Sequence, residues 1–520
     1  MELTKKQMYQ SRMGKKISDQ FMMDEDYNVP DTKSDIARIV LGVGDVQIDG
    51  VKRVESYLYV TGQLCFQILY ATDQEEPRLT SLEGKMPFEE MVYTEEEGEK
   101  EFYVTNARVE FNATMIHSRK LNIKAMMDLE VRSDELVNEE MTTDIEDDDQ
   151  IFKKQKPMQL LQLHTSKKDT YRIKEEINIP GTKENIGQVL WCDISSRRLD
   201  TRLEDDVLQL QGELQVFCFY ESQDGKLDWV EQAVPYEGRV ECGGADSSMY
   251  HHAMADLNDA NADIRTDEDG EMRVLGIEGT LELRIAIYRE ESTELLEDVY
   301  SLEKSCNLEI KDASYEELIM QNHSKCKVGE QLSLPEIKDD ILQICHSSGT
   351  MQIENKEIVA NGIMVEGILH LCFLYVKEND QIPFDTWQGM IPFSYVIESN
   401  ETCSNMNFDI ASSLEQLSIT LLGGDEIEVK AVLAFHSFFR RLVEAKVITD
   451  ISFEPMALEE LEKRPGVVGY IVKDGDDLWS LAKRYNTTID SIMDVNEISD
   501  ENNIRTGDKI LIFKENMSIL

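Results

Sequence analysis

Val29-Pro30-Asp31-Thr32-Lys33-Ser34-Asp35-Ile36 is met again as Ile179-Pro180-Gly181-Thr182-Lys183-Glu184-Asn185-Ile186, and a third time as Leu334-Pro335-Glu336-Ile337-Lys338-Asp339-Asp340-Ile341. Each copy is an apolar residue, proline, two variable positions, lysine, two polar positions and isoleucine. Ile39, Val189 and Ile344 follow three places after that isoleucine. Proline at the entry and apolar residues three apart predict a short helix opened at its first turn.

Working outward, Gly62, Gly212 and Gly367 each lie 32 positions after the proline, and Tyr70, Tyr220 and Tyr375 lie eight further on. The runs between them, such as Glu213–Phe219, have the length and the aromatic and β-branched content of strands. A proline-aromatic pair follows at Pro87-Phe88, Pro235-Tyr236 and Pro392-Phe393, offset by 57, 55 and 57 from the first proline. Further strand-like runs close the units at Leu121–Val131, Met272–Tyr288 and Ile427–Phe438. The period, 150 and then 155 residues, is far longer than a solenoid unit and gives each copy room for its own core.

Glu139-Glu140 and Glu146–Asp149 read as an acidic spacer, and Asp312–Ser324 as a weakly helical polar stretch. The expected division is an N-terminal segment at 1–17, repeats at 18–132, 169–300 and 323–454, linkers at 133–168, 301–322 and 455–467, and a terminal module at 468–514. The expected class is mainly β: three tandem β-rich domains with short helices, then a small α+β module.

In that module Tyr470 and Val472 alternate as in a strand, and Asp474-Gly475 breaks it. Asp476 or Asp477 can cap a helix whose Leu478, Leu481, Ala482 and Tyr485 share one face. Thr487-Thr488 can cap a second helix through Ile489, Ile492 and Met493, and Asn496 suits a left-handed end. Gly507-Asp508 is a turn before a closing strand with Ile510 and Ile512. This strand-helix-helix-strand pattern closely resembles the LysM module, in Gly475-Asp476-x-Leu478-Trp479, Ala482, Tyr485, Asn496 and Ile504-x-x-Gly507. It departs at Asp477, where serine or threonine is usual, and at Phe513, where proline often closes the module. LysM modules commonly bind peptidoglycan or chitin between two loops, here Asp474–Trp479 and Asn496–Arg505. Trp479 stands one place off the apolar stripe, at the core edge or on a contact surface.

A tripled proline-x-x-lysine unit followed by one LysM module resembles the clostridial spore-coat morphogenetic proteins of the SipL type, whose repeated domain is called SPOCS. The resemblance implies a non-enzymatic scaffold in the mother-cell cytoplasm, recruited to the forespore surface and the spore coat. It implies binding of the coat basement-layer ATPase SpoIVA through LysM, coat attachment and encasement, and contacts of the repeats with other envelope proteins. The alternative is a peptidoglycan-binding protein acting through LysM. Contact candidates on or beside the loops are Asp477, Trp479, Ile498, Ser499, Ile504 and Arg505, where apolar anchors stand among charges.

Composition narrows the field. Fifty-three basic and 102 acidic residues give a formal charge of −49. That disfavours nucleic acid and anionic membrane surfaces and allows a soluble protein with a basic partner. The start lacks the apolar core of a secretory signal, and no run approaches the roughly 20 apolar residues of a spanning helix. Nine scattered cysteines without a C-x-x-C pair point to a reducing compartment.

No nucleophile elbow, zinc-protease, phosphate-loop or dinucleotide motif occurs. Among eight histidines, the adjacent His251-His252 lie in a polar stretch and read as loop residues, while His370 and His436 read as core. Asp256–Asp263 lacks the glycine and closing glutamate of a calcium loop, and Asp267–Gly270 reads as a hairpin turn. No catalytic residue, cofactor or metal site is expected.

Overall fold

The computed structural model describes residues 2–514 apart from 97, 99, 147–150, 338–340, 379, 380, 424, 457–464 and 502. The chain is mainly β. The first repeat contains β2 (Ile17–Asn28), β3 (Ile36–Val54), β4 (Tyr57–Thr72), β5 (Leu79–Tyr93), β6 (Glu101–His117) and β7 (Lys120–Ile145). They form two antiparallel sheets, β3-β4-β5 and β2-β7-β6. Leu58, Val60, Leu64, Phe66, Ile68 and Tyr70 alternate along β4, so every second side chain enters the core. That core is closed from the other sheet by Met23, Ile123, Ala125 and Met127.

The second repeat repeats the plan in β8 (Ile151–Asn178), β9 (Ile186–Glu204), β10 (Val207–Ser222), β11 (Leu227–Glu241), β12 (Tyr250–Thr266) and β13 (Met272–Ser301). The third does so in β14 (Lys304–Ser333), β15 (Ile341–Val359), β16 (Gly362–Lys377), β17 (Phe384–Glu398), β18 (Met406–Gly423) and β19 (Glu426–Pro455). Each repeat has its own apolar core.

Two of the sequence landmarks meet in space. Gly62, Gly212 and Gly367 pair across strands with Phe88, Tyr236 and Phe393. A β-carbon at Gly62 would stand 2.7 Å from the Phe88 ring, and one at Gly367 would stand 2.8 Å from the Phe393 ring. The glycine is therefore the seat of the aromatic side chain, which covers the backbone that glycine leaves bare. The Tyr70 hydroxyl, in turn, donates to the carbonyl of Ser34, within the proline motif, at 3.0 Å.

The motif itself is not helical in the first two copies. Pro30 and Pro180 open tight turns, closed by Lys33 N–H to Pro30 O and Lys183 N–H to Pro180 O, both 2.9 Å. Ile36 and Ile186 then start strands, and only Pro335–Ile337 makes a 3₁₀ turn. Carbonyls of the first two turns are collected by a distant arginine. Arg119 donates to Val29 O and Pro30 O at 3.0 Å each, and Arg273 donates to Pro180 O at 2.8 Å. With the carbonyls engaged from outside, no helical ladder is needed. Lys338–Asp340 lie outside the described residues.

The first two expected linkers are largely strand over their described residues, whereas most of the third, 455–467, lies outside the described residues. β7 continues to Ile145, β8 begins at Ile151, and Asp312–Ser324 lies within β14. Alternation in stretches this polar is too weak to announce a strand, because only one face of a narrow ribbon is buried. The far half of β7 pairs with β1 (Leu3–Met13), so the expected N-terminal segment is also part of the fold. Likewise β8 pairs with β13, and β14 with β19, along their whole lengths. Three two-stranded ribbons thus leave the three heads and pack into one stalk. Met8 and Met141, Met158 and Leu160, and Tyr315 and Val447 share its core. Tyr315 Oη donates to Glu140 O at 3.1 Å and Thr142 Oγ1 to Ile448 O at 2.6 Å.

The heads also meet. Leu69, Phe219 and Leu374, equivalent positions of the repeats, converge in a shared core with Leu190 and Trp191. Between heads and stalk lies a polar throat. Arg440, 1% exposed, donates to Glu316 at 3.1 Å, Asp409 at 2.8 Å and the Tyr288 hydroxyl at 3.2 Å. Asp409 is held below the usual carboxylate range: burial opposes this, but the Arg440, His252 and Arg132 charges prevail.

His251 and His252, expected in a loop, lie instead in β12. His251 meets Thr201 Oγ1 at 2.9 Å, and the His436 ring lies tilted against His323 with centroids 4.1 Å apart. Asp267–Gly270 is the expected turn, with Gly270 at φ +81°. All nine cysteines are free.

Candidate interaction site on the LysM module

β20 (Val467–Ile471) and β21 (Lys509–Phe513) pair antiparallel and enclose α1 (Leu478–Tyr485) and α2 (Ile489–Asn496). Asp477 is the cap of α1. Its Oδ1 accepts from Ser480 N–H at 2.8 Å, and its own N–H donates to Ser480 Oγ at 3.3 Å. The departure from serine or threonine therefore keeps the capping role and adds a charge at the positive helix end. Thr488 caps α2 by accepting from Ser491 N–H at 3.0 Å. The left-handed helix ends are Asn486 and Glu497, with φ of 58° and 54°. Asn496, expected in that role, is instead the last helical residue and bridges to Leu511 by two bonds of 2.7 Å.

Leu478, Leu481, Ala482, Ile492, Ile510 and Ile512 form the core, but the module does not complete it alone. Tyr300, at the end of β13, enters it together with Phe152 and Leu302. The Tyr300 ring meets the edge of Trp479 at 4.9 Å, and its hydroxyl donates to Thr487 O at 3.1 Å. Burial pushes the Tyr300 phenol well above its ordinary range. Asp298 accepts from Trp479 Nε1 at 2.9 Å and from Lys483 at 2.5 Å. Lys154 donates to Asp477 Oδ2 at 2.9 Å. Burial would raise the Asp477 carboxyl, but its bonds from Ser480 and Lys154 hold it down to about 2.

The six expected contact residues therefore separate. Asp477 and Trp479 face the chain's own second-repeat ribbon. Ile498 and Ile504 are half-buried and pack against the module's core. Ser499 and Arg505 are exposed on the second loop, where Arg505 N–H is fixed by Asp508 Oδ2 at 2.8 Å. Lys154, Asp298 and Tyr300 were missed because nothing in a lone ribbon residue announces a partner hundreds of positions away. The one available signal was Trp479, off the apolar stripe and in need of a cover.

Among the described residues no cluster of His, Cys, Asp or Glu could hold a metal, and no helix is long and apolar enough to cross a membrane. The family model described as SipL, SPOCS domain matches residues 35–117, 185–265 and 340–422, and the LysM domain model matches 470–513. No curated protein and no solved structure matches the chain. Each SPOCS match begins beside a proline turn and covers the four strands from β3, β9 or β15 onward. The chain thus belongs to the SipL-type proteins, in which three SPOCS domains precede a C-terminal LysM domain.

Proposed function

We propose that this chain is a non-enzymatic spore-coat morphogenetic scaffold, which binds a SpoIVA-like coat ATPase through its LysM module and promotes encasement of the forespore. The SPOCS and LysM matches make it a sporulation-related protein with a LysM module, and both families are binding domains. The observation that carries the choice of a protein partner is the engaged first loop. A sugar groove needs both loops, yet Asp477 and Trp479 are held by Lys154 and Asp298. What stays open is the second loop, with exposed Glu497, Ser499, Asp500, Glu501 and Arg505. Charged residues set around partly buried Ile498 and Ile504 suit a folded polypeptide.

The test uses the full chain, since removing the module would bare Tyr300. Arg505→Glu combined with Ser499→Arg is expected to weaken co-purification with SpoIVA at least tenfold while the module keeps its helical circular dichroism. Undiminished capture would overturn the assignment. Firm retention of the unaltered protein on purified cell wall, without SpoIVA capture, would favour the peptidoglycan reading instead.

A further inference from the structure

We propose that the outer face of the first repeat's β3-β4-β5 sheet docks a basic, arginine-bearing protein segment. Val54, Tyr57 and Tyr93 form one rung across the three strands, and Lys52, Tyr59 and Met91 form another, two residues along each strand. The intervening Leu58 and Val92 point into the core, so these rungs point outward. Val54, Tyr57, Met91 and Tyr93 are 44, 45, 55 and 56% exposed. The two tyrosine rings meet edge to face at 5.7 Å, forming a single aromatic surface.

The other two repeats supply an internal control. Their sheets have the same strand order and the same rungs. In the second repeat the outer rung is Glu204, Val207 and Glu241, and the next is Arg202, Gln209 and Arg239. In the third, the outer rung is Val359, Gly362 and Glu398. The fold therefore does not require aromatic residues there, and a solvent-facing aromatic cluster confined to one copy calls for a cover.

Charge selects the occupant. Glu89 lies on the same face as Met91 and Tyr93, and exposed Glu55 and Glu95 stand beside the outer rung, against Lys52 alone among the rung positions. A second copy would set these carboxylates against themselves in a chain of charge −49. Arginine satisfies both features, stacking on tyrosine while pairing with carboxylate. This surface is independent of the LysM reading.

Anisotropy of a fluorescein-labelled peptide of alternating arginine and leucine, titrated with the full chain, tests this. Saturable binding is expected, weakened about tenfold by Tyr57→Val with Tyr93→Glu, the residues the second repeat carries at those rungs. Tyr93→Glu adds negative charge, so weakening cannot come from lost attraction. Met91→Gln, a change at an exposed side chain, should weaken binding about threefold and guards against a misfolded double variant. Equal affinity for all variants, or no saturation, would overturn the proposal. So would a dimer of the unaltered chain that the double variant dissolves, because the face would then belong to a second copy.

Discussion

Arg440 in the throat and Trp479 at the LysM joint both carry nitrogen donors to a carboxylate, yet the two places differ in what surrounds the bond. Arg440 is 1% exposed, and Glu316, beside it, is equally shut away. Trp479, Lys154 and Lys483 remain half in water and share their joint with one deeply inserted ring, Tyr300. In the throat, charges were moved out of water together, so removing one strands the others. At the joint the ring contributes most of the free energy, and the ion pairs around it set direction more than strength.

The hardest blow to that contrast is Arg440→Met. It leaves Glu316 buried without its cation and Asp409 with only the more distant Arg132, and should cost about 3–5 kcal/mol in denaturant unfolding of the full chain. A loss below about 1 kcal/mol would mean the throat is wetter than its burial implies.

Tyr300→Ala comes next, at about 3 kcal/mol for a buried aromatic side chain and its bond to Thr487. The loss should fall on the module alone, read as faster amide exchange in α1 and α2 with the heads unchanged.

Acid separates the two places further. His251 and His436 are pushed down to about 4, chiefly by burial and then by the charge of His323. Their neutral forms are favoured in the fold, so this stability is complete above the unfolded value near 6.5 and is lost as pH falls toward 4. The heads should lose stability steadily over that interval, and His251→Gln should flatten the loss. Asp477, held down to about 2, keeps its charge there, so the joint's Lys154 pair should survive until the pH drops below about 4. Concurrent melting of module and heads at pH 5 would erase the distinction.

The smallest effect is Asp298→Asn, about 1 kcal/mol, because Trp479 Nε1 keeps an acceptor while Lys483 loses its counter-charge. Red-shifted tryptophan emission in this variant would show instead that the joint had opened.

Local periodicity made much of this legible. Alternation in β4, β10 and β16 marked the head strands, and the βααβ pattern marked the module, because each records which side of an element meets the core. The paired offsets of glycine and proline-aromatic dipeptide were visible as spacing, although their meaning, a ring seated on bare backbone, needed the cross-strand register. The stalk was hidden. Its residues, such as Glu139-Glu140 and Lys153-Lys154, are polar because only a narrow seam is buried. The proline motif reads as a helix start because the donors that fill its carbonyls, Arg119 and Arg273, lie about 90 residues away. Asp477 and Trp479 read as contact residues, and their contacts within the chain are Lys154 and Asp298, which no local pattern picks out.

β1 completes the stalk only by lying along β7, and Thr142 reaches Ile448 across 306 positions of sequence. During synthesis the earliest strand therefore waits for the last of the long strands before its methionines leave water. A chain stopped within the third repeat would hold at most its first two heads, with Met8, Met141 and Met158 lacking the cover of Tyr315 or Val447. The seam that joins the three repeats is thus closed by the latest of their long strands, although it begins in the earliest.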